Sequence, residues 1–357
     1  MKFKKLTAAI LAGVFAFGSF SISDAMSREE ISAIKVSKSG NFKFWEKNSA
    51  AKEKLIAYVK DVTNKNSKNF IPVEDRIATF DMDGTFICET APYYFEWMLY
   101  LNRAIYDENF TPSQADKNYA VEIENAIRKT KKFPKNVDVD EGKSQESVFA
   151  GMTPNEYENY VKNFMDKPVE GLSNLKWGEA FYLPMVEVIK YLQANDFTVY
   201  VVSGSDRPTV RVLACDLLKI KTNNVIGSDP KILSVNQDAN DGGNYVYGEN
   251  DYLVRGQLIE KNLKMNKVSA IAKEIGKQPV LAFGNSSGDT SMLNYAVFGN
   301  KYKSAAFFVL CDDVERELGN LDKAKKCDDL AKQYGWTSIS MRNDWKTIYG
   351  DNVKVIK

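Results

Sequence analysis

The chain contains no histidine. This excludes Ser-His-Asp chemistry, histidine-ligated zinc and imidazole acid–base catalysis, and leaves carboxylates as the groups expected to move protons at a catalytic centre. Cysteine is scarce: Cys88, Cys215, Cys311 and Cys327, with no Cys-x-x-Cys spacing, which argues against a thiolate metal cluster. Neither sign of charge dominates. Lys and Arg number 48 against 47 Asp and Glu, a net +1, so composition points neither to nucleic acid nor to an anionic membrane. After the first two dozen residues no apolar run is long enough to cross a bilayer, so no stable membrane anchor is expected. What remains is ordinary globular material, 44% hydrophobic and 27% charged. Its 357 residues predict a main domain with an insertion or a second domain.

The N-terminus reads differently. Lys2, Lys4 and Lys5 precede an apolar stretch from Leu6 to about Ile22, and Ser23-Asp24-Ala25 supplies small residues for cleavage after Ala25. Residues 1–25 are therefore predicted to be a secretory signal peptide, which implies a periplasmic or secreted protein. An uncleaved anchor is the alternative. Cleavage would leave a chain near neutral, at about −1. Export makes the cysteines possible disulfide partners, and Cys311 with Cys327 is the pair nearest in sequence; four buried thiols are the other reading.

Residues 26–70 are polar with helical apolar spacing, as in Ala51–Val59, and predict a helical lead-in. A short apolar strand follows at 76–81. Residues 91–183 read as helical, with Thr153-Pro154-Asn155-Glu156 forming a capping box that carries proline at the first helical position. From 184 onward strands and helices alternate: strands at 197–202, 224–227, 279–284 and 305–310, helices at 185–193, 208–219 and 266–275, and a Gly/Asn/Asp-rich hairpin region near 231–256. That alternation predicts an α/β fold with a mostly parallel, Rossmann-like sheet and helices on both faces.

Three apolar strands end in polar loops: Asp81-Met82-Asp83-Gly84-Thr85, Ser203-Gly204-Ser205 and Gly284-Asn285-Ser286-Ser287-Gly288-Asp289. Two carboxylates one residue apart at a strand end repel each other unless a cation or proton sits between them. They suit metal-assisted phosphoryl transfer, with one carboxylate attacking phosphorus and the other handling protons. A solvated acidic turn is the bland alternative. Ligands in open α/β sheets gather beyond the carboxyl ends of strands, where all three loops could converge.

These motifs, in this order and with a lysine ahead of the third, resemble the haloacid dehalogenase-like superfamily, in its phosphoserine-phosphatase-like branch, and are similar to exported bacterial members. The resemblance implies a core spanning 71–90 and 184–357, a helical cap over 91–183, and a phosphatase acting on a small phosphomonoester. It implies Asp81 as nucleophile and Asp83 as general acid and base. Mg²⁺ would be held by Asp81, Asp83, Asn285 and Asp289. Thr85, Ser203 and Gly204 would contact the phosphoryl oxygens, and Lys267 would offset charge, with Lys264 as rival. Asn285 stands where many members carry an acid. For Glu89 a substrate contact and a solvated hinge are both open; for Arg207, a substrate contact and a surface helix start. The aromatic run Tyr93, Tyr94, Phe95, Trp97 and Tyr100 is either a core stripe or, in part, a wall for a cationic or apolar leaving group. Phosphotransfer, phosphonatase chemistry and a non-catalytic envelope binding protein are the alternative functions.

Overall fold

Apolar β-rich runs at regular spacing pair into one seven-stranded sheet in this computed structural model, which describes residues 25–135, 137–238 and 241–356. The predicted signal peptide, apart from Ala25, lies outside the described residues. The strands are β1 (Ile77–Phe80), β2 (Thr198–Asp206), β3 (Val225–Ser234), β4 (Leu253–Glu260), β5 (Leu281–Gly284), β6 (Ala305–Leu310) and β7 (Thr337–Ser340). Their order is β4-β3-β2-β1-β5-β6-β7, parallel except for the antiparallel pair β3–β4. The chain leaves β1 toward β2 on one side and later returns to β5 on the other. This strand-order reversal opens a crevice at the carboxyl end of β1.

Alternation along the strands divides the core between two faces. Val201, Phe283 and Phe307 belong to one buried cluster, while Val202, Ala282 and Phe308 belong to the other. The helix Leu183–Ala194 packs on the first, and the helices Met265–Glu274, Thr290–Val297 and Leu321–Tyr334 cover the second. The lead-in helix Ala50–Thr63 is tied to the sheet by Tyr58, whose hydroxyl donates to the Val280 carbonyl at 2.9 Å. Aromatic rings form the middle of the sheet: Phe80 stacks on Phe283 at 4.2 Å, and Phe283 on Phe307 at 5.2 Å.

Between β1 and β2 the chain forms helices at Phe95–Leu101, Gln114–Asn125, Val137–Phe149 and Pro154–Met165, the last opened by the anticipated Thr153 capping box. Two strands depart from expectation. β3 runs on to Ser234 and pairs with β4, which emerges from the region read only as a hairpin; β7 was not anticipated. All four cysteines are free and buried. The Cys311–Cys327 pair does not form, because Cys327 Sγ faces the Asn285 carbonyl at 3.5 Å and Cys311 Sγ the Asn320 carbonyl at 3.7 Å.

Truncating Phe283, fully buried between two rings, is expected to destabilise the protein by about 3–5 kcal/mol. Denaturant unfolding of Phe283→Ala checks this.

Candidate active site

Each strand-end loop has a local reason for its shape. Beyond β1, the Asp81 N–H donates to the Phe283 carbonyl at 3.0 Å, so the pairing of β1 with β5 extends to the first aspartate. Gly84 then takes a positive φ of 74°, a conformation that side chains disfavour. A Cβ there would lie 1.9 Å from Asn285 Nδ2 and 2.4 Å from the Glu89 carboxyl carbon, so glycine is also required for close approach. β2 bulges between Val202 and Asp206, which turns the Ser203–Ser205 loop toward β1. In the third loop Asp289 accepts from the Asn285 and Ser286 N–H groups, both at 3.1 Å, folding the loop around its carboxylate.

The centre of the arrangement is Lys267. Its buried ammonium donates to Asp81 Oδ1 at 2.6 Å and to Asp289 Oδ1 at 2.7 Å, joining the ends of β1 and β5. Lys264 instead occupies the turn before that helix, with its backbone N–H on the Gly288 carbonyl. Burial alone would lower the pKa of Lys267, but Asp289 and Asp81 outweigh it, so the lysine stays charged. For Asp81 the balance runs the other way: burial and the nearby Asp289 carboxylate push its pKa up to about 7 despite Lys267. Asp83 is raised well above the ordinary carboxylate range by burial and by Asp81. Its Oδ2 accepts from the Ser205 hydroxyl at 2.7 Å, while Oδ1 is buried without a partner among the described residues.

These groups line a cavity of about 130 Å³ together with Gly204, Ser205 and Asn285. Glu89, Tyr94, Glu96, Trp97, Lys261 and Leu263 complete its lining. Of the five aromatic residues in the run, Tyr94 and Trp97 therefore reach the cavity, whereas Phe95 and Tyr100 are fully buried.

Several residues sit elsewhere than expected. Arg207 turns away from the cavity to make paired contacts at 2.7 Å with Asp229 and Glu274; two carboxylates on neighbouring elements outcompete a distant site. Ser203 is fully buried below the loop, its Oγ accepting the Ser205 N–H at 3.0 Å, and it is Ser205 that lines the cavity. Thr85 is likewise buried and donates to Asp81 Oδ2 at 3.3 Å. Glu89 is no solvated hinge residue: it is buried and ion-paired with Lys323. Sequence reasoning missed Ser205, Glu96, Lys261 and Lys323. Ser205 had a signal in the Ser-Gly-Ser strand end, but the other three depend on contacts across more than 150 residues.

The oxygen-rich set is suited to a small hard cation. Asp81 and Asp289 share one ammonium, Asp83 Oδ1 is orphaned, and ionising Asp81 is disfavoured, so added positive charge would relieve the site. Among the described residues no three acidic or thiol side chains form a ready-made cage, so backbone carbonyl and amide oxygens would have to complete it.

A doubly wound α/β core presenting paired buried aspartates at its strand-order reversal defines an enzyme of the hydrolase type. The sequence matches the haloacid dehalogenase-like hydrolases over residues 78–294, more than half of the chain, and the protein belongs to that family. No curated protein sequence matches the chain. Among solved structures, a conserved functionally unknown protein from Anaerococcus prevotii DSM 20548 is similar with a TM-score of 0.50 and 14% identity, covering 88% of this chain and 98% of its own; it shares the fold. Cytosolic 5'-nucleotidase IIIB bound to cytidine is more distant, with a TM-score of 0.46, 13% identity and coverage of 85% and 90%. A phosphoserine phosphohydrolase-like protein from Francisella tularensis subsp. tularensis SCHU S4 has a TM-score of 0.36, 16% identity and coverage of 66% and 87%.

A raised carboxyl pKa means that the folded state holds a proton the unfolded state has lost, so stability falls as pH rises between the two values. For Asp81 that window runs from about 4 to about 7. Asp81→Asn should flatten this slope and gain stability over the wild type above pH 7 in metal-free protein; chelator-treated unfolding at pH 5 and pH 8 measures it.

Proposed function

We propose that the protein is a Mg²⁺-dependent phosphatase that hydrolyses a small phosphomonoester through an aspartyl-phosphate on Asp81. The observation that carries this is the asymmetry of the two aspartates. Asp81 has an ammonium on one oxygen, which works against the effect of burial and favours the ionised form needed for attack, an aid that Asp83 lacks. Asp83 has a serine hydroxyl on one oxygen and nothing on the other, in a site that holds its proton well above the usual range. A carboxyl kept protonated can serve as a general acid, the task that histidine cannot perform in this chain.

In the first step an Asp81 oxygen attacks phosphorus in line, the bond to the alcohol oxygen breaks, and Asp83 gives that oxygen its proton. In the second, water attacks phosphorus of the acyl phosphate, Asp83 takes its proton, and inorganic phosphate leaves with Asp81 restored. Lys267 offsets the negative charge gathered around Asp81 and shared with the phosphoryl group. Asp81, Asp289, Asn285 and the Asp83 carbonyl would hold Mg²⁺, which supplies positive charge to the phosphoryl oxygens when bound. The helical segment 91–183 acts as the cap that contacts the alcohol. The lysine-rich, apolar start of the sequence supports export, with the mature protein beginning at Met26 and meeting its substrate in the periplasm or outside the cell.

Purified mature protein should hydrolyse short phosphomonoesters with Mg²⁺ and lose that activity to a chelator. Asp81→Asn should lower kcat by at least ~10³-fold while retaining the fold. Undiminished turnover in the variant, or none in the wild type with Mg²⁺, would refute the proposal. Mg²⁺ should also raise the melting temperature of the wild type, an effect the Asp289→Asn variant should weaken.

A further inference from the structure

The catalytic cavity has a neighbour. Glu89 and Tyr94 line both the cavity and a second, larger cleft of about 550 Å³ on their far side. That cleft runs between the helical segment and the core, with Tyr93 and Phe133 on one side and Leu318 and Lys323 on the other. Its aromatic side is held together by ring contacts, the Tyr93 and Phe133 rings stacking at 5.1 Å with 26° between their planes. The wall between the two spaces is thin and charged. The Glu89 carboxylate lies over the nucleophile loop, where a Cβ on Gly84 would stand 2.6 Å from Oε2. Its other oxygen, Oε1, accepts from the ammonium of Lys323, which reaches in from the helix Leu321–Tyr334. The pair is unevenly covered: the Glu89 side chain is 3% exposed and that of Lys323 31%.

We infer that the Glu89–Lys323 ion pair is a selectivity partition, with Lys323 as the residue that holds it shut. The inference rests on the phosphatase reading above and names its substrate class. With the pair closed, the phosphoryl group and its alcohol share about 130 Å³, which suits short aliphatic alcohols. With it open, the alcohol side of the cavity joins an apolar, aromatic cleft several times larger. Glu89 stays ordered because Lys323 anchors it; without that anchor a buried carboxylate beside Asp81 and Asp83 is driven toward water by like charge. Lys323 is thus a positioning residue, acting through Glu89 and touching no reacting atom.

The test compares ethyl phosphate with 3-phenylpropyl phosphate, whose primary alcohols leave with similar ease but differ in bulk. Wild-type enzyme with Mg²⁺ should prefer the ethyl ester. Lys323→Ala should raise kcat/KM for the bulky ester relative to the small one by about tenfold or more, through KM rather than kcat. Lys323→Arg, which can rebuild the pair, should restore the wild-type ratio. Glu89→Ala removes the partition itself and should shift the ratio in the same direction, which covers misfolding of the Lys323 variant. Turnover of both esters with an unchanged ratio in Lys323→Ala and Glu89→Ala, or an equal fall in kcat for both, would overturn the partition alone. If folded wild-type protein turns over neither ester, the phosphatase reading fails and this inference fails with it.

Discussion

The ammonium of Lys267 between Asp81 and Asp289 is the contact on which the rest of the site depends. Two buried carboxylates at the ends of adjacent strands would otherwise repel across the crevice, and neither could remain ionised there at modest cost. One buried cation joins them and fixes the relative positions of the first and third loops. The neutralisation is incomplete, because one positive charge serves two acids with a third close by. That shortfall leaves Asp81 hard to ionise and Asp83 hard to deprotonate, which is what makes the site receptive to further positive charge. Structure and chemistry here share one cause, a deliberate imbalance of charge in a dry crevice.

The sheet makes such an imbalance affordable. Stacked rings of Phe80, Phe283 and Phe307, all buried, lie behind the loops, so the strand ends that carry the acids rise from a packed aromatic layer. The positive φ of Gly84 and the bulge in β2 sit at the rim of this support. The rest of the lining is built differently, from Glu89 beyond β1 and from Tyr94, Glu96 and Trp97 of the helical segment, with Lys261 and Lys323 paired to the two glutamates.

Much of this was legible from sequence for an identifiable reason. Strands β1, β5 and β6 and the first half of β2 are largely apolar because both faces are covered, and β1, β2 and β5 run into Asp, Ser, Gly or Asn, so composition marks both the strand and the site. β4 and β7 were harder. Leu253-Val254-Arg255-Gly256 and Thr337-Ser338-Ile339-Ser340 lie at the two edges of the sheet, where a half-exposed strand resembles a loop. Asp81, Asp83, Asp289 and Lys267 could be picked out as candidates because strand-end chemistry is local. Arg207 misled because its partners, Asp229 and Glu274, are brought to it only by the fold. The bulge sets four steps of β2 against two of β3 and puts the hydroxyl of Ser205 rather than Ser203 on the cavity, and a register shift of that kind leaves no trace in composition.

The bond between Lys267 and Asp81 also spans 186 positions of sequence. A nascent chain that has not yet delivered the helix Met265–Glu274 holds its paired aspartates without the counter-charge of Lys267. Competence therefore arrives late and all at once, with the closing of the sheet around β5, and a fragment cut anywhere upstream of that helix is chemically silent rather than partly active. The fold in this way carries its own safeguard against hydrolysis by incomplete molecules.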